Sequence, residues 1–342
     1  MEYTIKKFKK KAEQTLAKSN NTSKNIILDE KGNVFTSLAI LMTFIIIFSA
    51  ILIINVAIDY NNVNSNSIDS NNFNYVIQDY QRNIPIITKE AMEEIADEVI
   101  KTGTPCVNSN LAIQNRVNEK LKIINKKYQD NYGLTIESDV LSILNSEDPF
   151  HVKIKTKVFV KKGNLEYNQI IEQLVSIEEL KDPLPFLMCK NHPTLIENNT
   201  KISYKDSLKF YFDENNLINP DAYLNAISPL FIKRCPYDPY VHHGDSYTLK
   251  NCIDNGYYHE SADGSCYLCR LEGKGGCFHY GLETFIVPNN VNNLNLSSIS
   301  STDHVVFSDH YPGDALTFYS YGNLYEIIFL DNAHRAKYGL NS

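Results

Sequence analysis

The chain has 342 residues, with 33 Lys and Arg against 40 Asp and Glu, seven cysteines and no tryptophan. That length allows one large or two ordinary domains with a sizeable core, and a charged content of 21% with net charge -7 excludes a disordered polyelectrolyte or a protein that wraps nucleic acid. Seven cysteines in such a length are too few for a small disulfide scaffold, so any bridges act as local staples on a fold with its own apolar core.

The averages conceal an asymmetry. Residues 1–32 carry eight lysines against four acids, and no charged residue follows until Asp59. The run Phe35-Thr36-Ser37-Leu38-Ala39-Ile40-Leu41-Met42-Thr43-Phe44-Ile45-Ile46-Ile47-Phe48 is its apolar centre. About 25 residues at about 1.5 Å each reach roughly 37 Å, enough to cross a hydrocarbon layer of about 30 Å. Residues 33–58 are therefore expected to form a transmembrane helix. The next Lys or Arg is Arg82, so the positive-inside rule puts the basic leader, residues 1–32, in the cytoplasm and everything after the span outside the cell. Divided at Ile58, the chain reads as a +4 anchor and a -11 exported body. A cleaved secretory signal has an apolar region of only about 7–15 residues, which favours a retained span.

Asp29-Glu30-Lys31-Gly32, followed at once by Asn33-Val34-Phe35-Thr36-Ser37-Leu38, resembles the class III signal peptide of archaeal type IV pilin-like surface proteins of methanogen type. The resemblance implies cleavage between Gly32 and Asn33 by a prepilin peptidase at the cytoplasmic face, with the apolar segment retained. It also implies pilin-like subunits as partners. Pilins carry Glu five residues after the cut, where this chain has Ser37, a departure that bears on filament assembly more than on processing and points to a minor or pilin-like surface protein.

Asn61–Asn74 holds seven asparagines with Ser and Asp, and residues 59–87 are expected to be an Asn-rich linker. From Thr88, a candidate cap, Met92, Ile95, Ala96, Val99 and Ile100 recur at helical spacing until Gly103 and Pro105. A second helix is predicted over residues 110–130, with Leu111, Ile113, Val117, Leu121, Ile124 and Tyr128 on its apolar side. His151–Val160 alternates apolar and basic residues as a strand does, Lys162-Gly163-Asn164 marks a turn, and a second strand is predicted near Leu174–Ile177. Residues 88–182 thus read as an α+β module of two helices and a β-hairpin, ending at the stiff Asp182-Pro183-Leu184-Pro185-Phe186. Residues 183–342 are predicted to form a Cys-stabilised, Tyr-rich β subdomain, closed by a hairpin of Thr317–Tyr321 and Leu324–Leu330 around Gly322-Asn323. The fold class is therefore α+β with an N-terminal transmembrane helix.

Five cysteines fall between Cys235 and Cys277: Cys235, Cys252, Cys266, Cys269 and Cys277, interleaved with His242, His243 and His259 and followed by His279. Cys266, Cys269, Cys277 and His279 are four soft ligands on a glycine-rich stretch and could surround a structural Zn²⁺. The expected extracytoplasmic location equally permits disulfide staples, and both readings stand. For nucleophilic chemistry the best candidate is Cys252 near His259 and Glu260, and Asp303-His304 with Asp309-His310, flanking a predicted strand Val305–Phe307, could hold a cation.

No phosphate-binding loop, dinucleotide fingerprint, nucleophile elbow or HExxH helix occurs, so no enzymatic activity is expected. Alternating lysines from Lys153 to Lys162 read as a solvated strand face, and nucleic acid is not an expected partner. Asn198-Asn199-Thr200 and Asn295-Leu296-Ser297 are exported glycosylation sequons, making the chain a candidate glycoprotein. The expectation is a single-pass, pilin-like cell-surface protein in adhesion or cell-envelope and filament assembly. The alternatives are a structural minor subunit that binds no ligand, and an anchored enzyme or metal-binding protein using the Cys/His cluster.

Overall fold

The computed structural model describes residues 33–190, 193–214, 223–237, 246–288, 302–307, 314–320 and 323–340. It is a mixture of helix and sheet, as expected for α+β, and divides into two compact units, one ending at Asn72 and one from Phe73 to Ser342.

The first described element, α1, is a helix from Asn33 to Thr102. Its segment Leu38–Val56, with mean hydropathy 2.7 and no residue buried, is long and apolar enough to span a membrane. The Asn-rich stretch, expected as a linker, is instead part of this helix. Phe73, Ile77, Tyr80, Ile84, Ile87 and Ala91 are buried in the main core. Their alternating steps of four and three keep one stripe of the helix facing inward, which outweighs the weak helix propensity of Asn74 and Asn83 between them. Thr88 consequently caps nothing: it lies mid-helix and its hydroxyl donates to Ile84 O at 2.8 Å. Pro85 also sits inside α1 and cannot donate to Gln81 O. That carbonyl is satisfied from outside, by Gln173 Nε2 at 3.0 Å.

Helix α2, Ser109–Tyr132, is capped by Asn108, whose side chain accepts from Leu111 N, and is ended by Gly133 at φ 62°. Three strands follow: β1 (Thr135–Asn145), β2 (His151–Lys162) and β3 (Leu165–Ser176). They form an antiparallel meander in the order β1-β2-β3, one strand more than the predicted hairpin. Gly163, at φ 57°, opens the β2–β3 turn. A bulge between Val140 and Ser142 interrupts β1, and α2 answers it: Gln114 Nε2 donates to Val140 O at 2.6 Å and Asn118 Oδ1 accepts from Val140 N at 2.8 Å. Val152, Ile154, Val158 and Val160 turn inward from β2. The intervening lysines are matched across the ladder by acids, with Lys157 opposite Asp139, Lys155 opposite Glu172, and Lys153 Nζ 3.2 Å from a Glu172 oxygen. The lysines, read from the sequence as a solvated face, thus lie on the central strand with acids opposite.

Beyond Asp182 the chain is a mixture of short helices and short strands rather than β-rich. The helices are α3 (Leu184–Met188), α4 (Ser207–Glu214), α5 (Ser246–Asn255), α6 (Tyr267–Leu271), α7 (Asp303–Phe307) and α8 (Asn332–Lys337). The strands are β4 (Thr194–Ile196), β5 (Lys201–Ser203), β6 (Ile227–Pro229), β7 (His259–Ser261), β8 (Gly281–Glu283), β9 (Asp314–Ser320) and β10 (Asn323–Leu330). Val305–Phe307, predicted as a strand, belongs to α7 because Asp303 lies at its N-terminus and backbone bonding starts with Val306 N to Thr302 O at 3.0 Å. In the β9–β10 hairpin, Asn323 is already in the strand, paired with Ser320, where the sequence placed it in the turn.

The segment at Asp182, read as a domain boundary, lies in the interior. Arg270, with no exposed side-chain area, reaches Asp182 at 2.6 Å and Asp303 at 2.8 Å and also donates to the carbonyls of Ser265 and Leu282. Tyr258 Oη donates to Asp182 Oδ2 at 3.0 Å. Two buried carboxylates flank one guanidinium, so the residues before Pro183 and those after Tyr267 share one desolvated polar network.

Candidate metal centre

Cys266 caps α6, Cys269 lies within it, and the chain turns back through Gly273, at φ 71°, toward Cys277 and His279. The turn is tied by Lys274 N donating to Cys269 O at 3.0 Å, and the Cys266 amide points at Cys277 Sγ at 3.3 Å. Glycine is required below the site, because a Cβ on Gly281 would stand 2.3 Å from Gly264 O.

The four ligand atoms of Cys266, Cys269, Cys277 and His279 all lie within 4.8 Å of one another. His279 Nδ1 is 3.6 Å from Cys266 Sγ and 3.6 Å from Cys269 Sγ. Metal–sulfur and metal–nitrogen bonds of about 2.3 and 2.0–2.1 Å in a tetrahedron give a sulfur-to-nitrogen edge of about 3.6 Å, so the donors already stand at the spacing that Zn²⁺ demands. Cys266 and Cys269 are buried, Cys277 half-buried and His279 exposed.

The three thiols perturb one another strongly. Hydrogen bonds from the Cys266 and Cys269 thiols hold Cys277 far below the ordinary thiol range. The same two contacts seen from Cys269, with Cys266 and then Cys277, push that thiol up. Cys266 is drawn down by Cys269, but the Cys277 contact and burial outweigh this and leave it at about 11.

All seven cysteines are unbridged. The expectation of disulfide staples is not met: a disulfide holds its sulfurs about 2.05 Å apart, whereas Cys235 and Cys252 stand 3.5 Å apart beside buried His259. Contact with Cys235, then burial, pushes the Cys252 thiol far up, the reverse of what a nucleophile needs. Cys106 and Cys189 belong to neither group, although the Cys106 amide donates to Leu271 O at 2.9 Å at the end of α6, and burial pushes Cys189 up to about 12.

The remaining sequence candidates are dispersed. Asn198 sits at φ 56° in the exposed turn between β4 and β5, accessible as a sequon should be. Gly32, Asn295 and the Asp309-His310 pair lie outside the described residues, as do the side chain of Asn33 and residues His242 and His243. Asp303 is engaged by Arg270 and by Thr284 N at 3.0 Å. Sequence reasoning missed Glu283 and His334, which meet His304 in the interior. These three are far apart along the chain and no motif spacing connects them.

No protein-family model, curated protein sequence or solved structure matches this chain.

Proposed function

We propose that the chain is a single-pass, pilin-like membrane protein whose exported α+β body, closed by a Cys₃His zinc site, serves in adhesion or cell-envelope and filament assembly. The observation that carries this reading is the composition of α1. Its Leu38–Val56 segment is uncharged, strongly apolar and exposed, while the same helix from Phe73 onward supplies buried residues to the core. A soluble protein has no use for an unburied apolar stretch of that length, and a lipid layer accounts for it. The class III-like leader Asp29–Gly32 supports the pilin-like part of the reading, and the absence of a catalytic motif supports a structural or adhesive role. The donor set of three thiols and one imidazole leaves no ligand position open, which fits a structural ion rather than a catalytic one. There the ion would cross-link α6 to the segment before β8, and Cys266, Cys269, Cys277 and His279 would hold it.

Mass spectrometry of the mature N-terminus, from full-length protein made in a host with a prepilin peptidase, tests the assignment. An amino terminus at Asn33 in the membrane fraction is the expected result. A retained Met1, or recovery of the protein from the soluble fraction, overturns it.

A further inference from the structure

We propose that Glu283, His304 and His334 form a second metal site, for a divalent first-row transition ion held by one carboxylate oxygen and two imidazole nitrogens. The site needs neither the membrane anchor nor the cysteine centre.

Glu283 ends β8, His304 lies in α7 and His334 in α8, so three separate elements converge. All three side chains are buried, Glu283 completely. Their ligand atoms lie within 4.8 Å of one another. Glu283 Oε2 is 3.5 Å from His304 Nδ1 and 3.5 Å from His334 Nε2. Both separations are long for a charged hydrogen bond, which closes to about 2.7–2.9 Å. They are close to the edge of about 3.3–3.4 Å between nitrogen and oxygen donors sharing an ion at 2.0–2.1 Å.

The surrounding groups orient the donors. Lys337 Nζ, 2.8 Å away, and the Tyr338 hydroxyl both engage the other oxygen, Oε1, and leave Oε2 turned toward the imidazoles. His334 Nδ1 is 2.7 Å from Asp331 Oδ2, and this carboxylate fixes the ring with Nε2 facing inward, 3.4 Å from Thr302 Oγ1. A carboxylate behind a ligating histidine is the usual means of setting its tautomer and raising its basicity. The imidazoles of His304 and His334 lie with centroids 5.2 Å apart. Nitrogen and carboxylate donors without sulfur select Zn²⁺ or a neighbouring first-row ion over Ca²⁺ or Mg²⁺, which require oxygen shells of six or more ligands.

Cobalt substitution distinguishes the two centres. Full-length protein purified in detergent is loaded with Co²⁺, and bound cobalt is counted alongside the absorption spectrum. Cobalt in the cysteine centre gives thiolate-to-metal charge transfer, and cobalt at Glu283 does not. The expected result is a cobalt fraction without thiolate bands, lost in both Glu283→Gln and His334→Ala while the thiolate bands persist and report an intact fold. Cobalt wholly accounted for by thiolate ligation in the wild-type chain overturns the second site and leaves the first standing. Retention of the thiolate-free cobalt in both variants also overturns it. Should the variants fail to fold, the wild-type spectrum alone decides, and a chain that binds cobalt only without thiolate bands supports this site while removing the cysteine centre.

Discussion

Arg270 carries the largest single-residue consequence. It compensates two carboxylates that are otherwise buried, and burial pushes Asp182 upward despite the neighbouring guanidinium. Replacing Arg270 by Met strands both acids, and breaking a buried pair in this way costs about 3–5 kcal/mol. Urea denaturation of Arg270→Met should show a loss of that size, and a change below about 1 kcal/mol would mean that the acids simply protonate. Asp148 is a smaller, partly exposed case. Burial would raise it, but the Phe150 amide and Arg234 outweigh burial and hold it below the usual carboxylate range. A carboxyl depressed in the folded state stabilises above its unfolded pKa, about 3.9, and the contribution disappears as pH falls through the folded value. Asp148→Asn should therefore lower the stability measured by urea denaturation at pH 7 by a modest amount, below about 1 kcal/mol given solvent screening, and the gap to wild type should shrink between pH 7 and an acid pH below about 3.9, as pH falls through the folded value. An unchanged gap at the two pH values would remove Asp148 from the acid response.

Among the elements, α1 shows how tertiary contacts override local preference. Asn, Ser and Pro85 all argue against helix in its middle, and the stripe from Phe73 to Ala91 prevails because each inward residue finds a core partner. The freed Gln81 carbonyl is the residual cost, offset by Gln173 from β3. Loss of that bond by Gln173→Ala should destabilise the body by about 1 kcal/mol. In a Pro85→Ala background, where the helix can satisfy the carbonyl itself, the same substitution should cost clearly less. Equal losses in both backgrounds, measured by thermal unfolding, would show that Gln173 acts through packing alone. The linker reading rests on Asn61–Asn74, which lies almost wholly ahead of the stripe and has no apolar period of its own. Helix α2, strand β2 and the β9–β10 hairpin were legible because the apolar period, and in the hairpin the Gly-Asn pair near the turn, point the same way as the tertiary outcome.

At the scale of the whole molecule, the body from Phe73 onward is one compact unit, and α6, buried along its whole length, carries two of the four residues of the proposed zinc site into the core. An ion held there would contribute folding free energy. Addition of a strong chelator to the full-length protein in detergent should lower its unfolding temperature, and Cys269→Ser should be both less stable and insensitive to the chelator through this site. A chelator without effect on the wild type would remove the structural ion.

The sequence by itself determined the apolar span, helix α2, strand β2 and the clustering of Cys266, Cys269, Cys277 and His279, because each is written in local composition, period or close spacing. Only the tertiary structure set the sulfur and nitrogen separations on which the proposed metal site rests, since differences of a few tenths of an ångström are not written in local spacing. It alone also brought Asp182, Arg270 and Asp303, and likewise Glu283, His304 and His334, to common points. Residues so far apart in the chain meet only through the packing of elements that contain them, and no local rule encodes where those elements cross.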